Sequence, residues 1–595
     1  FMKIKYIDGK RFIRGIKVGA YKIVNHQDYL NKINVFPVPD ADTGTNMAAT
    51  IKTIVDNIQE DTNQIDEATK NIADSALEGA RGNSGVILAQ FFYGLAKGIG
   101  KNKRLTTIQF GEAVNSAKSH AYEALSKPRE GTILSVIKDW AENIYENSKK
   151  IFDFQELLNH SLEVARHSLE KTRTKIEAMR NANVVDAGAQ GFVYILEGIS
   201  NFINRGKLKE LEKNCIQPVS AIARTEVLPE QITYRFCTEC LIEGKNIPIE
   251  NLRLEFEPYG DSIVLAGSPQ KARLHIHTNE PAKVFKIAHQ YGDLLQQKAD
   301  DMLKQYLIAH NPHPKIALVV DSACDLPPEF IDRSFIHIIP IRLTFGQSSY
   351  LDKVTITPEY FYEMLDSEPE HPRTSQPSPA DFINLYSFLL SHYDSIISIH
   401  LPATLSGTYQ NALKAAQNFP ERKISVIDSK ALSVSFGFLA ELAVELITAG
   451  KSHNEIVNEL EKATHRTQLF IGVPSLKYLM RSGRVSKAKG LIAKLFNIKP
   501  ILNLDKYGSP QHISKSFSKK GAFTKVLQMA SNFAAQKINP RFAIAHANNL
   551  KIAEYFNNEL RKRFKVGNIN ILPVAPMLGA HAGNGAAAIA VTWSE

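Results

Sequence analysis

Four cysteines in 595 residues are too few for a disulfide framework, and this scarcity favours a reducing compartment, so a cytoplasmic protein is expected. No run of about 18 uninterrupted apolar residues offers a membrane span, and the opening Phe1-Met2-Lys3-Ile4-Lys5 lacks the apolar centre of a signal peptide. The Gly-x-x-x-x-Gly-Lys-Ser/Thr phosphate loop is missing, so any phosphate binding must use another device. Base-reading helices and aromatic RNA-binding signatures are missing too. A net charge of +10 is modest for this length, and nucleic acid is not expected as a partner. Acids are nearly absent from Lys477 to Lys525, where twelve Lys or Arg residues face one acid, Asp505. Such a run is either a solvated basic face or a docking surface for phosphate, an acidic domain or an anionic membrane.

What is present suffices for several cores: 44% of the residues are hydrophobic and 22% charged. Helical periodicity dominates to about residue 205, with stripes such as Phe110, Ala113, Val114, Ala117 and Ala121, and predicts an all-α bundle or barrel. A polar stretch with Pro218 and Pro229, residues 206–229, reads as a linker. Residues 230–312 read as a small α+β domain. From 315 to 595 short apolar runs alternate with helices, which predicts an α/β fold with largely parallel strands.

The first region is organised around Asn34-Val-Phe-Pro-Val-Pro-Asp40-Ala-Asp42-Thr-Gly-Thr-Asn46. Two carboxylates so close need a compensating cation. Pro37 and Pro39 hold the backbone extended, and the stripe Met47, Ile51, Ile54 and Ile58 starts a helix just after the acids. Carboxylates with free helix-end amides suit Mg²⁺ with phosphates, although an acidic cap would share the pattern. Three more small-residue segments open helices: Gly79 to Gly85, containing Asn83 and Ser84; Glu130-Gly131-Thr132; and Asp186-Ala187-Gly188. Each by itself is compatible with a cap or an anion cradle.

The acidic stretch resembles the nucleotide-binding domain of the dihydroxyacetone kinases, in the variant found in bacterial fatty acid kinases, at twelve of thirteen positions. The resemblance implies an antiparallel helix barrel binding ATP and Mg²⁺ at one end. Asp40 and Asp42, helped by Asn34, would hold the metal. Thr43, Thr45, Asn46, Asn83, Ser84, Gly85, Gly131, Thr132, Asp186 and Gly188 would surround the nucleotide. Ala41 stands where the family has Gly; if that position needs positive φ, the loop is strained by about 1 kcal/mol.

In the middle region, strand alternation puts His275 and His277 on one face, whereas Cys237 and Cys240, three apart, point to opposite faces. These residues fit zinc ligation or buried structural roles equally. The wording resembles the fatty acid kinase middle domain in Cys237, His275 and His277 but not in Cys240. It implies a site of those three residues near the transferred phosphate, with Zn²⁺ as the candidate ion.

In the last region polar residues gather where strands end, the usual ligand edge of such sheets. Asp321-Ser322, Thr374-Ser375-Gln376-Pro377, Ser406-Gly407-Thr408, Ser482-Gly483-Arg484 and the closing Gly579-Ala-His581 together resemble the DegV family of fatty-acid-binding proteins. The resemblance implies that Thr374, Ser406 and His581, with Ser375, Gly407 and Thr408, hold a fatty acid carboxylate, and that Arg484 docks the kinase part. The expectation is therefore a fatty acid kinase and its lipid carrier in one homodimeric chain, forming acyl phosphate for phospholipid synthesis. A dihydroxyacetone-type sugar kinase and a non-catalytic lipid-binding regulator are the alternatives.

Overall fold

A computed structural model describes residues 3–35, 42–59, 61–205, 232–482 and 498–594. It divides into two units, residues 1–306 and 307–595. The expected linker, Asp40, Ala41 and Arg484 lie outside the described residues.

The first unit begins with helices running from Gly9–Asn25 to Ala187–Arg205. Their starts are set by side-chain caps: Asp8 accepts from Arg11 N, Thr106 forms a capping box with Gln109, and Asp153 accepts from Gln155 N. Their apolar stripes meet in one core containing Ile13, Met47, Ile51, Phe91, Val114, Trp140 and Phe192. Among the described residues no helix is long and apolar enough to cross a membrane.

The same unit continues with an antiparallel sheet of order β2-β3-β1-β4, where β1 is Phe236–Glu243, β2 Gly260–Ser268, β3 Lys271–Thr278 and β4 Asp293–Asp301. With the helix Ile249–Phe256, these strands give the region the α+β character that its sequence predicts. The sheet joins the helical part directly. Leu265 N donates to Ala124 O at 3.0 Å, Gly267 N donates to Gln90 Oε1 at 2.9 Å, and Lys271 pairs with Glu78 at 2.9 Å.

The second unit opens with β5 (Ile316–Asp321), β6 (His337–Ile339), β7 (Arg342–Phe345), β8 (Ser348–Leu351) and β9 (Arg373–Ser375), followed by β10 (Ser395–His400) and β11 (Lys423–Asp428). It continues with β12 (Thr467–Gly472), β13 (Lys499–Leu504), β14 (Pro510–Ser516), β15 (Ile538–His546), β16 (Asn570–Pro573) and β17 (Ala587–Ser594). Pro340 splits the apolar run His337 to Leu343 into β6 and β7, because proline cannot donate to a ladder. One sheet, β11-β10-β5-β6, is parallel. The six-stranded sheet β14-β13-β12-β17-β15-β16 is not, since only its β15–β16 pair is parallel. The largely parallel arrangement expected from the sequence is thus corrected. Hydrophobic runs record burial on both faces, which central strands of either kind share.

Candidate functional site

Four helix N-termini of the first unit converge. Asp42 precedes the helix Thr43–Asn57, whose Asn46 side chain lies against Gly82, the first residue of the helix Gly82–Ile99. Gly82 has φ +60°, and a Cβ there would meet Asn46 Nδ2 at 2.7 Å. A Cβ on Gly188 would lie 2.4 Å from Ser84 Oγ, so the helix Ala187–Arg205 closes on the same corner. Asp186 then accepts hydrogen bonds from the amides of Ala189, at 2.7 Å, and of Ile133, the first residue of the helix Ile133–Asn147 capped by Thr132. The positive ends of four helix dipoles therefore face one place, which is suited to a polyphosphate. Asn83 Oδ1 is buried there without a hydrogen-bond partner. Burial lifts the Asp186 carboxyl to about 6, with the two amide hydrogen bonds opposing that rise.

The segment Gly79 to Gly85 opens a helix, as its residues predict. Ala80 and Arg81 alone separate two helices, and Asn83, Ser84 and Gly85 form the first turn of the second. Thr45 is committed locally: its amide donates to Asn31 Oδ1 at 3.0 Å, and its hydroxyl accepts from Asn31 and Gln27. Gly131 has φ +87° and donates to Ser135 Oγ at 2.8 Å. Asn34 is buried at 5% exposure.

Beside this corner stands one face of the middle sheet. The register places His275, Glu239 and Lys298 in one row across β3, β1 and β4, and His277, Cys237 and Asp300 in the next. Alternation turns all six to the same side. The ligand atoms of Cys237, His275 and His277 lie within 4.8 Å of one another. His275 Nδ1 is 3.0 Å from Glu239 Oε1, while its Nε2 is buried without a hydrogen-bond partner. Burial, then the neighbouring His275, lowers His277 to about 3, so its ring is neutral and able to ligate. Burial raises the Cys237 thiol and Glu239 adds to that rise, which means that ligation must displace a proton. Cys240 is apart from the cluster, fully buried and pushed up to about 12 by burial. Burial opposes ionisation of Glu239, but the His275 hydrogen bond and the charges of Lys298 and Arg273 outweigh it and hold the carboxyl well below its ordinary range. Lys298 pairs with Asp300 at 2.6 Å and stays charged, held by Asp300, Glu239 and Asp42. An imidazole oriented by a carboxylate, a second neutral imidazole and a thiol make a donor set that fits zinc.

In the second unit an apolar cavity opens between the sheets. Its empty space, mouth and open solvent included, is about 1140 Å³. Leu401, Leu469, Ile471, Val473, Leu502 and Leu504 are among its apolar lining, and Thr374, Ser375, Gln376, Ser406 and His581 are polar. Thr374 Oγ1 is 3.2 Å from His581 Nε2. Ser406 Oγ is 2.8 Å from Thr408 Oγ1, at the start of the helix Thr408–Ala416. Gly407 and Thr408 are not in the lining; Thr408 is fully buried behind it. The shape suits an amphiphile with an anionic head.

Comparison with known proteins agrees with this division. The family described as DAK2 domain matches residues 37–201, a family of fatty acid kinase-like middle domains matches 233–307, and the DegV family, described as uncharacterised, matches 315–593. A DegV domain-containing protein of Staphylococcus aureus strain N315 is 35% identical over 277 residues, 47% of this chain and 98% of that protein. The chain belongs to the DegV family through its C-terminal half. An uncharacterised protein of Staphylococcus saprophyticus is 34% identical over 320 residues; the chain spans 56% of that protein's length, and the match takes in 51% of this chain. Among solved structures, DegV of Bacillus subtilis, titled a fatty acid binding protein, shares 30% identity over 47% of this chain and all of that one, with a TM-score of 0.45. A fatty acid binding DegV family protein of Streptococcus agalactiae shares 25% identity over the same fractions, also with a TM-score of 0.45.

The DAK2, middle and DegV domains thus occur together in one chain, as a fatty acid kinase joined to a DegV-like domain would have them. The structure brings together Asp42, Asn46, Asn83, Ser84, Thr132, Asp186 and Gly188 in the DAK2 domain, and Cys237, His275 and His277 in the middle domain. In the DegV domain it gathers Thr374, Ser375, Ser406 and His581. Sequence reasoning missed Glu239, Arg273, Lys298 and Asp300. Alternation from Cys237 would have found Glu239, two residues on; Lys298 and Asp300 sit on the unrecognised β4.

Proposed function

We propose that this chain transfers the terminal phosphoryl group of ATP to the carboxylate of a fatty acid, giving acyl phosphate and ADP. The observation carrying this reading is the presence in one chain of two complementary sites. One is a corner of helix N-termini beside Asp42 and a charged sheet face, and the other is an apolar cavity with hydroxyls and an imidazole in its wall.

A fatty acid carboxylate is ionised at neutral pH and needs no general base. The protein's work is therefore positioning and charge neutralisation. Amides at Asn83 and Ser84 and at the start of Ala187–Arg205 would bind phosphate oxygens. Asp40 and Asp42, with Asn34, would hold Mg²⁺, which when bound neutralises charge on the bridging phosphates. The Lys298 ammonium is a further fixed positive charge, within the field of Asp42. Cys237, His275 and His277 would hold Zn²⁺, which when bound adds Lewis acidity beside the same corner. Thr374, Ser406 and His581 would donate hydrogen bonds to the acceptor carboxylate while the apolar lining buries the acyl chain.

A dihydroxyacetone-type kinase shares the nucleotide domain, but the DegV cavity offers a small, polar dihydroxyketone mostly apolar wall. ADP release, measured with Mg·ATP and either oleate or dihydroxyacetone, tests the assignment. Turnover with oleate alone is expected; turnover only with dihydroxyacetone moves the acceptor to the sugar class, and none with either supports a non-catalytic role.

A further inference from the structure

One carboxylate oxygen joins the two halves of the proposed kinase site. Glu239 Oε1 accepts the Gly82 amide at 2.6 Å and lies 3.0 Å from His275 Nδ1, while Oε2 accepts from Arg273 at 3.3 Å. The first contact is a short, charge-assisted hydrogen bond. Gly82 opens the helix whose amides form the anion corner, and His275, whose Nε2 is buried and unpartnered and whose Nδ1 lies 3.9 Å from Cys237 Sγ, belongs to the Cys237, His275 and His277 cluster. The same oxygen therefore sets the ring orientation of a candidate metal ligand and, 157 residues away in the chain, holds the end of the helix whose following amides are candidate phosphate binders.

Glu239 is not a stand-in for phosphate that leaves when nucleotide arrives. It is fully buried, and its departure would strand the guanidinium of Arg273, also fully buried, without its ion pair. It is a fixed strut between β1 and the helix end.

We propose that Glu239 is a positioning residue that couples metal loading at Cys237, His275 and His277 to nucleotide affinity at the Gly82 helix end. The proposal rests on the reading that these sites take a divalent metal and Mg·ADP or Mg·ATP. An ion on His275 fixes the ring, the ring fixes Glu239, and Glu239 fixes the Gly82 amide. By linkage, nucleotide must tighten metal binding by the same factor.

The full-length chain is titrated with Mg·ADP in its metal-stripped and Zn²⁺-loaded forms, and with Zn²⁺ in the absence and presence of saturating Mg·ADP. The two ratios are expected to agree, at about five-fold or more. In Glu239→Gln, which exchanges the charged acceptor for a neutral one, both ratios are expected to fall toward one. Because that variant leaves Arg273 uncompensated, the double variant Glu239→Gln/Arg273→Met is measured alongside it, with the same expectation. Independent binding of Zn²⁺ and Mg·ADP in the wild type overturns the coupling but leaves the proposed function standing. Undiminished coupling in either folded variant overturns the role of Glu239. Failure of the wild type to bind Mg·ADP in any form overturns the coupling and the kinase reading together.

Discussion

Ser406→Ala separates two roles that the structure superimposes on one hydroxyl. Ser406 Oγ lines the DegV cavity, yet it also lies 2.8 Å from Thr408 Oγ1 and accepts the Thr408 amide at 3.3 Å. If the hydroxyl donates to a fatty acid carboxylate, its loss removes one charge-assisted hydrogen bond, about 1.5 to 3 kcal/mol, or roughly a 10- to 150-fold rise in Kd. The change also removes a partner of the fully buried Thr408 hydroxyl, which costs about 1 to 3 kcal/mol of stability in the unliganded protein. Thr408→Val serves as the control, because it breaks the same pair and leaves the Ser406 hydroxyl for the ligand. Oleate affinity by calorimetry and thermal unfolding without ligand, measured on both variants, give the answer. Weaker binding confined to Ser406→Ala is expected. Equal oleate affinity in wild type and Ser406→Ala, alongside a lowered Tm, would show that the hydroxyl is a helix cap and that the carboxylate is held elsewhere.

Asp42→Ala is expected to abolish ATP turnover while changing oleate affinity by less than about two-fold, since it lies in the unit that lacks the cavity; retained turnover would remove it from the metal site. Metal analysis of the purified wild type is expected to find about one zinc per chain, lost in His275→Ala and in His277→Ala; wild type without metal would leave the cluster a metal-free role. Asp352 supplies a pH test. Burial raises its carboxyl from 3.8 to about 7, so between those values the folded form holds a proton that the unfolded form has released. Stability therefore falls as pH rises from about 4 to about 7 and is flat above, by at most about 4 kcal/mol. Asp352→Asn, which keeps an acceptor for the Met577 amide at 3.0 Å, is expected to flatten that decline in denaturant titrations; an unchanged slope would mean that the carboxylate is compensated by Lys353.

The helical part was legible because its apolar stripes recur at helical spacing, and the motif residues were legible because short segments such as Thr374-Ser375 and Ser406-Gly407 mark the ends of elements. Strand direction was not legible: β12 and β17 are separated by more than a hundred residues and pair antiparallel, a relation no local period carries. The strand β4 hid because its residues Gln296, Lys298, Asp300 and Asp301 interrupt apolar alternation on both faces. They do so because one face serves the site rather than a core. The row of His275, Glu239 and Lys298 exists only once three strands are in register, so its members are unremarkable singly. The converging helix ends were foreshadowed by their small residues, but which ends meet is set by packing such as Ser84 against Gly188.

The central claim is that phosphate is transferred to a carboxylate. Incubating the protein with Mg·ATP and oleate in the presence of hydroxylamine, and quantifying oleoyl hydroxamate against ADP by mass spectrometry, tests it most directly, because hydroxylamine captures an acyl phosphate and leaves a free fatty acid untouched. The account predicts hydroxamate and ADP in equal amounts, both absent in Asp42→Ala. ADP accumulating with oleate but without hydroxamate would contradict it.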